Sequence, residues 1–134
     1  MAEEVLVKES LTKEMIAAGE NLAKRIRQSK LKTSAMLWLY NSLLDEWNFV
    51  IVSPEMKTLG PDNLYDKIQE ILSQLPADQP QISFNDIFVF SPDDYRVTPF
   101  REVKARGKTI SGRRLRRTVM DGVFIDDSYI YSLT

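Results

Sequence analysis

From Leu11 to Ser29 the apolar residues Met15, Ile16, Leu22, Ala23 and Ile26 recur at helical spacing and form one stripe, which predicts an amphipathic helix. Ser10 or Thr12 supplies an oxygen for its N-cap. Lys24, Arg25 and Arg27 fall in its last turn, where the negative end of the helix dipole favours cations. The period then changes. Thr33 to Tyr40 and Trp47 to Ser53 read as two strands, with Asn41 to Glu46 between them as a loop of hairpin length. In the first strand Ala35, Leu37 and Leu39 alternate with Met36, Trp38 and Tyr40. Both sides are apolar, so both require cover, and a strand buried on two faces belongs in the middle of its sheet.

Pro54 closes this pair. Gly60-Pro61-Asp62 then opens a second helix running to about Leu75, with Leu64, Ile68, Ile71, Leu72 and Leu75 at helical spacing and Pro61 in the first turn. After the linker Pro76-Ala77-Asp78-Gln79-Pro80, the run Ile87 to Phe90 reads as a buried strand that Pro92 ends. Thr98-Pro99, Phe100 and Val103 read as a short helix stopped by Gly107. Lys108 to Arg117 has only Ile110 and Leu115 as apolar anchors and is expected to be loop or exposed strand. Val123-Phe124-Ile125 and Tyr129-Ile130-Tyr131 read as short β pieces, with turn signals at Asp121-Gly122 and Asp126-Asp127-Ser128. The sum is a single α+β domain over residues 1–134, with two main helices on a largely antiparallel sheet and a β-rich C-terminal segment. The charged residues 1–9 are expected to be disordered.

Composition removes most catalytic chemistry. The chain has no Cys and no His, so it offers no thiol nucleophile, thiolate zinc site or imidazole base. Carboxylate, lysine, tyrosine and hydroxyl chemistry remain, together with oxygen-held ions such as magnesium or calcium. No apolar run approaches the roughly 18–20 residues of a membrane span. The acidic start, Met1-Ala2-Glu3-Glu4, has no secretory layout, and the expected location is cytoplasmic.

Charge is unevenly distributed. Arg101, Lys104, Arg106, Lys108, Arg113, Arg114, Arg116 and Arg117 face only Glu102 as a local acid, a charge of +7 in a chain whose formal total is −1. A second acid-free stretch runs from Lys24 to Lys32, and a basic helix end accounts for most of it. The candidate contact residues for an anionic partner are therefore Arg113, Arg114, Arg116, Arg117, Arg106 and Lys108. Such a partner is an acidic protein surface or nucleic acid, although a calculated pI of 5.5 is low for a dedicated nucleic-acid binder. The plainer reading is that these cations pair with Asp121, Asp126 and Asp127 downstream or stay solvated. Trp38, Tyr40, Trp47 and Phe49 are better read as cross-strand core than as a stacking platform.

Pro92-Asp93 followed by Glu102-Val103-Lys104 resembles the Pro-Asp…Asp/Glu-x-Lys pattern of the restriction-endonuclease-like family. That resemblance implies Asp93 and Glu102 as magnesium ligands and Lys104 as the group that activates water. The family carries Glu-x-Lys on a strand, whereas the segment here reads as helix, on which residues two apart diverge. No other cofactor is implied.

Ala35-Met36-Leu37-Trp38-Leu39-Tyr40, Ser53-Pro54-Glu55 and Gly122-Val123-Phe124-Ile125-Asp126-Asp127-Ser128-Tyr129-Ile130-Tyr131 resemble a group of short prokaryotic proteins with no assigned activity. The resemblance implies no catalytic residue. The leading expectation is a small non-catalytic binding or protein-interaction domain with a basic surface at residues 101–117. The alternatives are the magnesium-dependent nuclease and a homo-oligomer whose basic segment meets an acidic patch of its twin.

Overall fold

The computed structural model describes residues 11–98, 100, 113–120 and 123–133. Along the chain these form α1 (Lys13–Gln28), β1 (Ala35–Asn41), β2 (Glu46–Val52), α2 (Glu55–Leu59), α3 (Pro61–Ser73), a 3₁₀ turn (Phe84–Asp86), β3 (Ile87–Phe90), β4 (Arg113–Met120) and β5 (Val123–Leu133). The five strands make one sheet in the order β3-β2-β1-β5-β4. Three pairings are antiparallel and β2–β3 is parallel, so the chain has the expected α+β class with a largely antiparallel sheet.

β1 is the middle strand, as its two apolar sides require. Met36, Trp38 and Tyr40 enter the core beneath the helices, with Leu22 and Ile26 of α1, Leu64 and Ile68 of α3, and Phe49 and Ile51 of β2. Ala35 and Leu37 enter a second core on the opposite face, with Val50, Val52, Phe90 and Ile130. Val97 and Phe100, from the stretch after β3, help to cover that face. The four hairpin aromatics are core residues, Trp47 being 3% exposed and Phe49 fully buried.

α1 starts where Thr12 Oγ1 accepts from Met15 N–H at 3.1 Å. Two side chains from the sheet then fasten its first turns. Trp38 Nε1 donates to the Met15 carbonyl at 3.0 Å, and the Tyr131 hydroxyl donates to the Ile16 carbonyl at 2.6 Å. The ladder between β1 and β5 pairs Met36 with Ser132 and Leu37 with Ile130, so Tyr131 is the extra residue of a bulge. Burial holds the Tyr131 phenol well above its ordinary pKa, which keeps it a donor. At its other end α1 meets α3, where Arg25 Nε and Nη2 donate to Gln74 Oε1 at 3.2 and 2.6 Å.

Several local features were not anticipated. Ser53, fully buried, donates to the Lys32 carbonyl at 2.6 Å and accepts from Glu55 N–H at 3.1 Å, so the Pro54 corner starts the short helix α2. The β1–β2 turn is organised by Asn41 Oδ1, which accepts from Leu43 and Leu44 N–H, and by Asp45 at φ 54°. The turn expected at Asp126-Asp127-Ser128 is absent, because β5 continues through all three residues. Ser128 is paired to Leu39 on one side and Leu115 on the other, and Asp127 stands opposite Arg116. Pairing on both sides outweighs the local turn preference of these residues. The expected loop or exposed strand at 108–117 is strand from Arg113 onward. Residues 1–9 and the expected helix after Thr98, Phe100 apart, lie outside the described residues.

Gly19 owes its place to Tyr131. A Cβ built there would clash with the Tyr131 hydroxyl oxygen and lie 2.6 Å from its ring carbon Cζ. Alanine would gain about 1 kcal/mol in helix propensity, whereas overpacking costs about 1–3 kcal/mol. The anchored phenol has little freedom to retreat, so Gly19→Ala is expected to lower stability in denaturant unfolding. A variant more stable than the native chain would contradict this packing.

Candidate functional site

The arginine run forms the first part of β4, the terminal strand of the sheet. Its ladder places Arg113 opposite Ile130, Arg114 opposite Tyr129 and Arg116 opposite Asp127, and it ends with Met120 opposite Val123. β4 and β5 thus form an antiparallel pair on either side of the turn signal Asp121-Gly122, which itself lies outside the described residues. By strand alternation, positions 114 and 116 fall on the face that carries the helices and positions 113 and 117 on the other. The run is thus divided between two faces. Arg114 is half-buried, and its guanidinium carbon lies 5.6 Å from the centre of the Trp47 ring, within cation–π range.

The last β1–β5 pair is Leu39 with Ser128, whereas β4 and β5 stay paired out to Met120 and Val123. Among the described residues, positions 116–120 and 123–127 therefore form a two-stranded ribbon beyond the last β1–β5 pair, although β1 itself continues to Asn41. Ser128, at the base of this ribbon, is fully buried, and its hydroxyl has no hydrogen-bond partner among the described residues.

The two edges of the sheet differ. β3 has four residues, and Tyr65 of α3 accepts from Val89 N–H at 2.9 Å, which occupies part of that edge. β4 has eight residues, and among the described residues its outer side has no partner strand. A long terminal strand presents unpaired backbone donors and acceptors, and charged side chains are the usual protection against unwanted pairing. This edge position is a structural role for the arginines that the sequence reading did not give them. Arg106 and Lys108 lie outside the described residues.

The Lys24–Lys32 cluster belongs to another region. Arg25 is bound to Gln74, Arg27 lies 3.7 Å from Glu20, and the Lys32 carbonyl is tied to Ser53 beyond β2. β4 begins level with Leu37 and runs toward the opposite end of the sheet.

Of the nuclease triad, Asp93 is the one residue within the described region; Glu102 and Lys104 lie outside it. The Asp93 carboxylate is already engaged, accepting from Ser91 Oγ at 2.5 Å and pairing with Lys57 Nζ at 2.9 Å. Its neighbour Asp94 pairs with Arg96 at 2.7 Å, and the Arg96 guanidinium lies over Phe90, 3.9 Å from the ring centre. Among the described residues no three acidic side chains are grouped so as to hold a metal ion.

A groove of about 460 Å3 opens beside the start of α1, with Trp38 and Trp47 beneath it and Glu14, Glu46 and Asp86 among its lining residues. Both indoles are at most 3% exposed, so they serve the core and offer little ring face to a ligand. Leu43 and Leu44, at the β1–β2 turn, are the exposed apolar pair of this end. Among the described residues no helix is long and apolar enough to cross a membrane.

No protein-family model, curated protein or solved structure matches the chain. Residue roles therefore rest on the geometry of the chain itself. The edge position of β4 had one signal in the sequence: Asp121-Gly122, set between Thr118-Val119-Met120 and Val123-Phe124-Ile125, marks a hairpin that would make the arginine run a strand.

The hydrogen bond from Ser91, followed by the pairing with Lys57, lowers the Asp93 pKa from 3.8 to about 2. A depressed carboxylate pKa gives a contribution that is present above the ordinary value and lost as pH falls through about 2. Ser91→Ala is expected to move the Asp93 midpoint upward in a carboxyl-carbon NMR titration. An unmoved midpoint would show that the serine does not hold this carboxylate.

Proposed function

We propose that this chain is a small, non-catalytic cytoplasmic binding module that takes an anionic partner along the arginine strand β4. The observation that carries the reading is the coincidence of charge and edge. The strand beginning Arg113-Arg114-Leu115-Arg116-Arg117 has eight residues, no acidic residue and no neighbour on its outer side among the described residues. Arg116 stands opposite Asp127 in the ladder, and the Arg114 guanidinium lies near Trp47. In sequence, Arg106 and Lys108 extend the basic stretch toward the N-terminus.

An acidic polypeptide suits this site better than nucleic acid does. A polypeptide can satisfy backbone donors and acceptors at a strand edge as well as the guanidinium charges, whereas a phosphate chain satisfies only the charges. The overall acidity of the chain, with a pI near 5.5, also disfavours a long polyanion that would pass over its acidic surfaces.

The test is titration of the protein with poly-glutamate and with single-stranded nucleic acid at low salt, beside a variant carrying Arg113→Ser, Arg114→Ser, Arg116→Ser and Arg117→Ser. The native chain is expected to bind poly-glutamate with an affinity that falls as salt rises. The variant, checked for native circular dichroism, is expected to lose at least tenfold. Failure of the native chain to bind either polyanion would overturn the reading.

A further inference from the structure

The geometry points to strand addition as the mode of binding: β4 receives an extended peptide segment of a partner protein that is acidic where it lies along Arg113–Arg117 and apolar where it lies along Thr118–Met120. This inference rests on the reading of β4 as the anionic-partner site and specifies the partner's conformation and residue pattern.

Three observations support it. First, among the described residues β4 is the eight-residue strand with an unpartnered side, while the opposite edge is a four-residue strand with one N–H already bonded to Tyr65. Secondly, the last β1–β5 pair is Leu39 with Ser128, so among the described residues β4 and β5 are paired only with each other from Arg116 to Met120. A two-stranded ribbon is marginally stable in water, and a third strand is the element that secures it. Thirdly, the composition of β4 changes along its length, from Arg-Arg-Leu-Arg-Arg to Thr-Val-Met. A segment matched along its whole length must therefore change character at the same point. Opposite charges across a ladder and β-branched pairs each stabilise neighbouring strands, so this gradient selects against segments that are acidic throughout or apolar throughout.

A second copy using the same strand is a poor occupant. Antiparallel pairing of two β4 strands over their full length would set Arg113 and Arg114 opposite Met120 and Val119 and Arg116 opposite Arg117, so it supplies no acid to the arginine half and sets like charges together at its centre. The gradient also distinguishes strand addition from diffuse charge attraction, which would respond to the number of acids and not to their order or to the peptide backbone.

The experiment uses the full chain and labelled eight-residue peptides with the pattern Glu-Glu-Thr-Glu-Glu-Val-Thr-Val, synthesised in forward and reversed order, read by fluorescence anisotropy. The tighter-binding order is then made in two further forms, N-methylated at alternate residues, odd positions in one and even positions in the other. In strand addition only alternate amides of the added strand face β4. One methylated form is therefore expected to lose at least tenfold in affinity while the other binds like its parent. Equal binding of both forms would overturn strand addition and leave the anionic-partner reading standing. Binding of poly-glutamate or nucleic acid without binding of the patterned peptides would do the same. Absence of binding to every probe would overturn both. Self-association of the native chain that the patterned peptide fails to compete away would identify a second copy as the occupant and overturn the inference.

Discussion

Burial of β1 on both faces is the constraint from which the rest of the arrangement follows. A strand with Ala35, Leu37 and Leu39 on one side and Met36, Trp38 and Tyr40 on the other must lose water from both. Each such apolar side chain contributes on the order of 1.5–3 kcal/mol when fully buried. Two layers are therefore required. The helices supply one, with Leu22, Ile26, Leu64 and Ile68, and the stretch after β3 contributes Val97 and Phe100 to the other. Once β1 holds the centre and β2 and β5 flank it, the outer positions fall to β3 and β4. The most charged strand thus occupies a place where one of its sides needs no apolar neighbour.

Docking of α1 fixes that arrangement further. Trp38 and Tyr131, from adjacent strands, donate to consecutive carbonyls of the helix, and Gly19 leaves room for the phenol. Both donors are mostly apolar rings with one polar atom, so they fill the core and still satisfy a buried hydrogen bond. The bulge at Tyr131 shifts the β1–β5 register at the level of Met36 and Leu37, beside the helix it binds. Sheet register and helix position are consequently set by the same residue.

Periodicity made much of this legible in the sequence. The alternation in β1 gave its two faces and its central place, and the spacing of Leu64, Ile68 and Ile71 gave α3, because burial imposes those periods directly. Charge and turn propensity were poorer guides. Asp126-Asp127-Ser128 has the composition of a turn yet continues β5, since pairing with β4 and β1 outweighs local preference. The arginine run carries no apolar period, which left it open between loop and exposed strand, and its edge position emerges only when all five strands are ordered. The candidate site was therefore legible as a set of residues but not as a strand edge. The nuclease pattern was legible as letters, while Asp93 in the structure is held by Ser91 and Lys57.

Amide hydrogen exchange along β1 and β4 tests the central claim, that double burial of β1 leaves β4 at the end of the sheet with no outer partner strand among the described residues, most directly. The account predicts slow exchange throughout the middle of β1, where both neighbours bond it. In β4 it predicts an alternation, with amides bonded to β5 protected and those between them exchanging at least a hundredfold faster. Uniform protection along β4 comparable with that of β1 would contradict the open edge and the functional reading built on it.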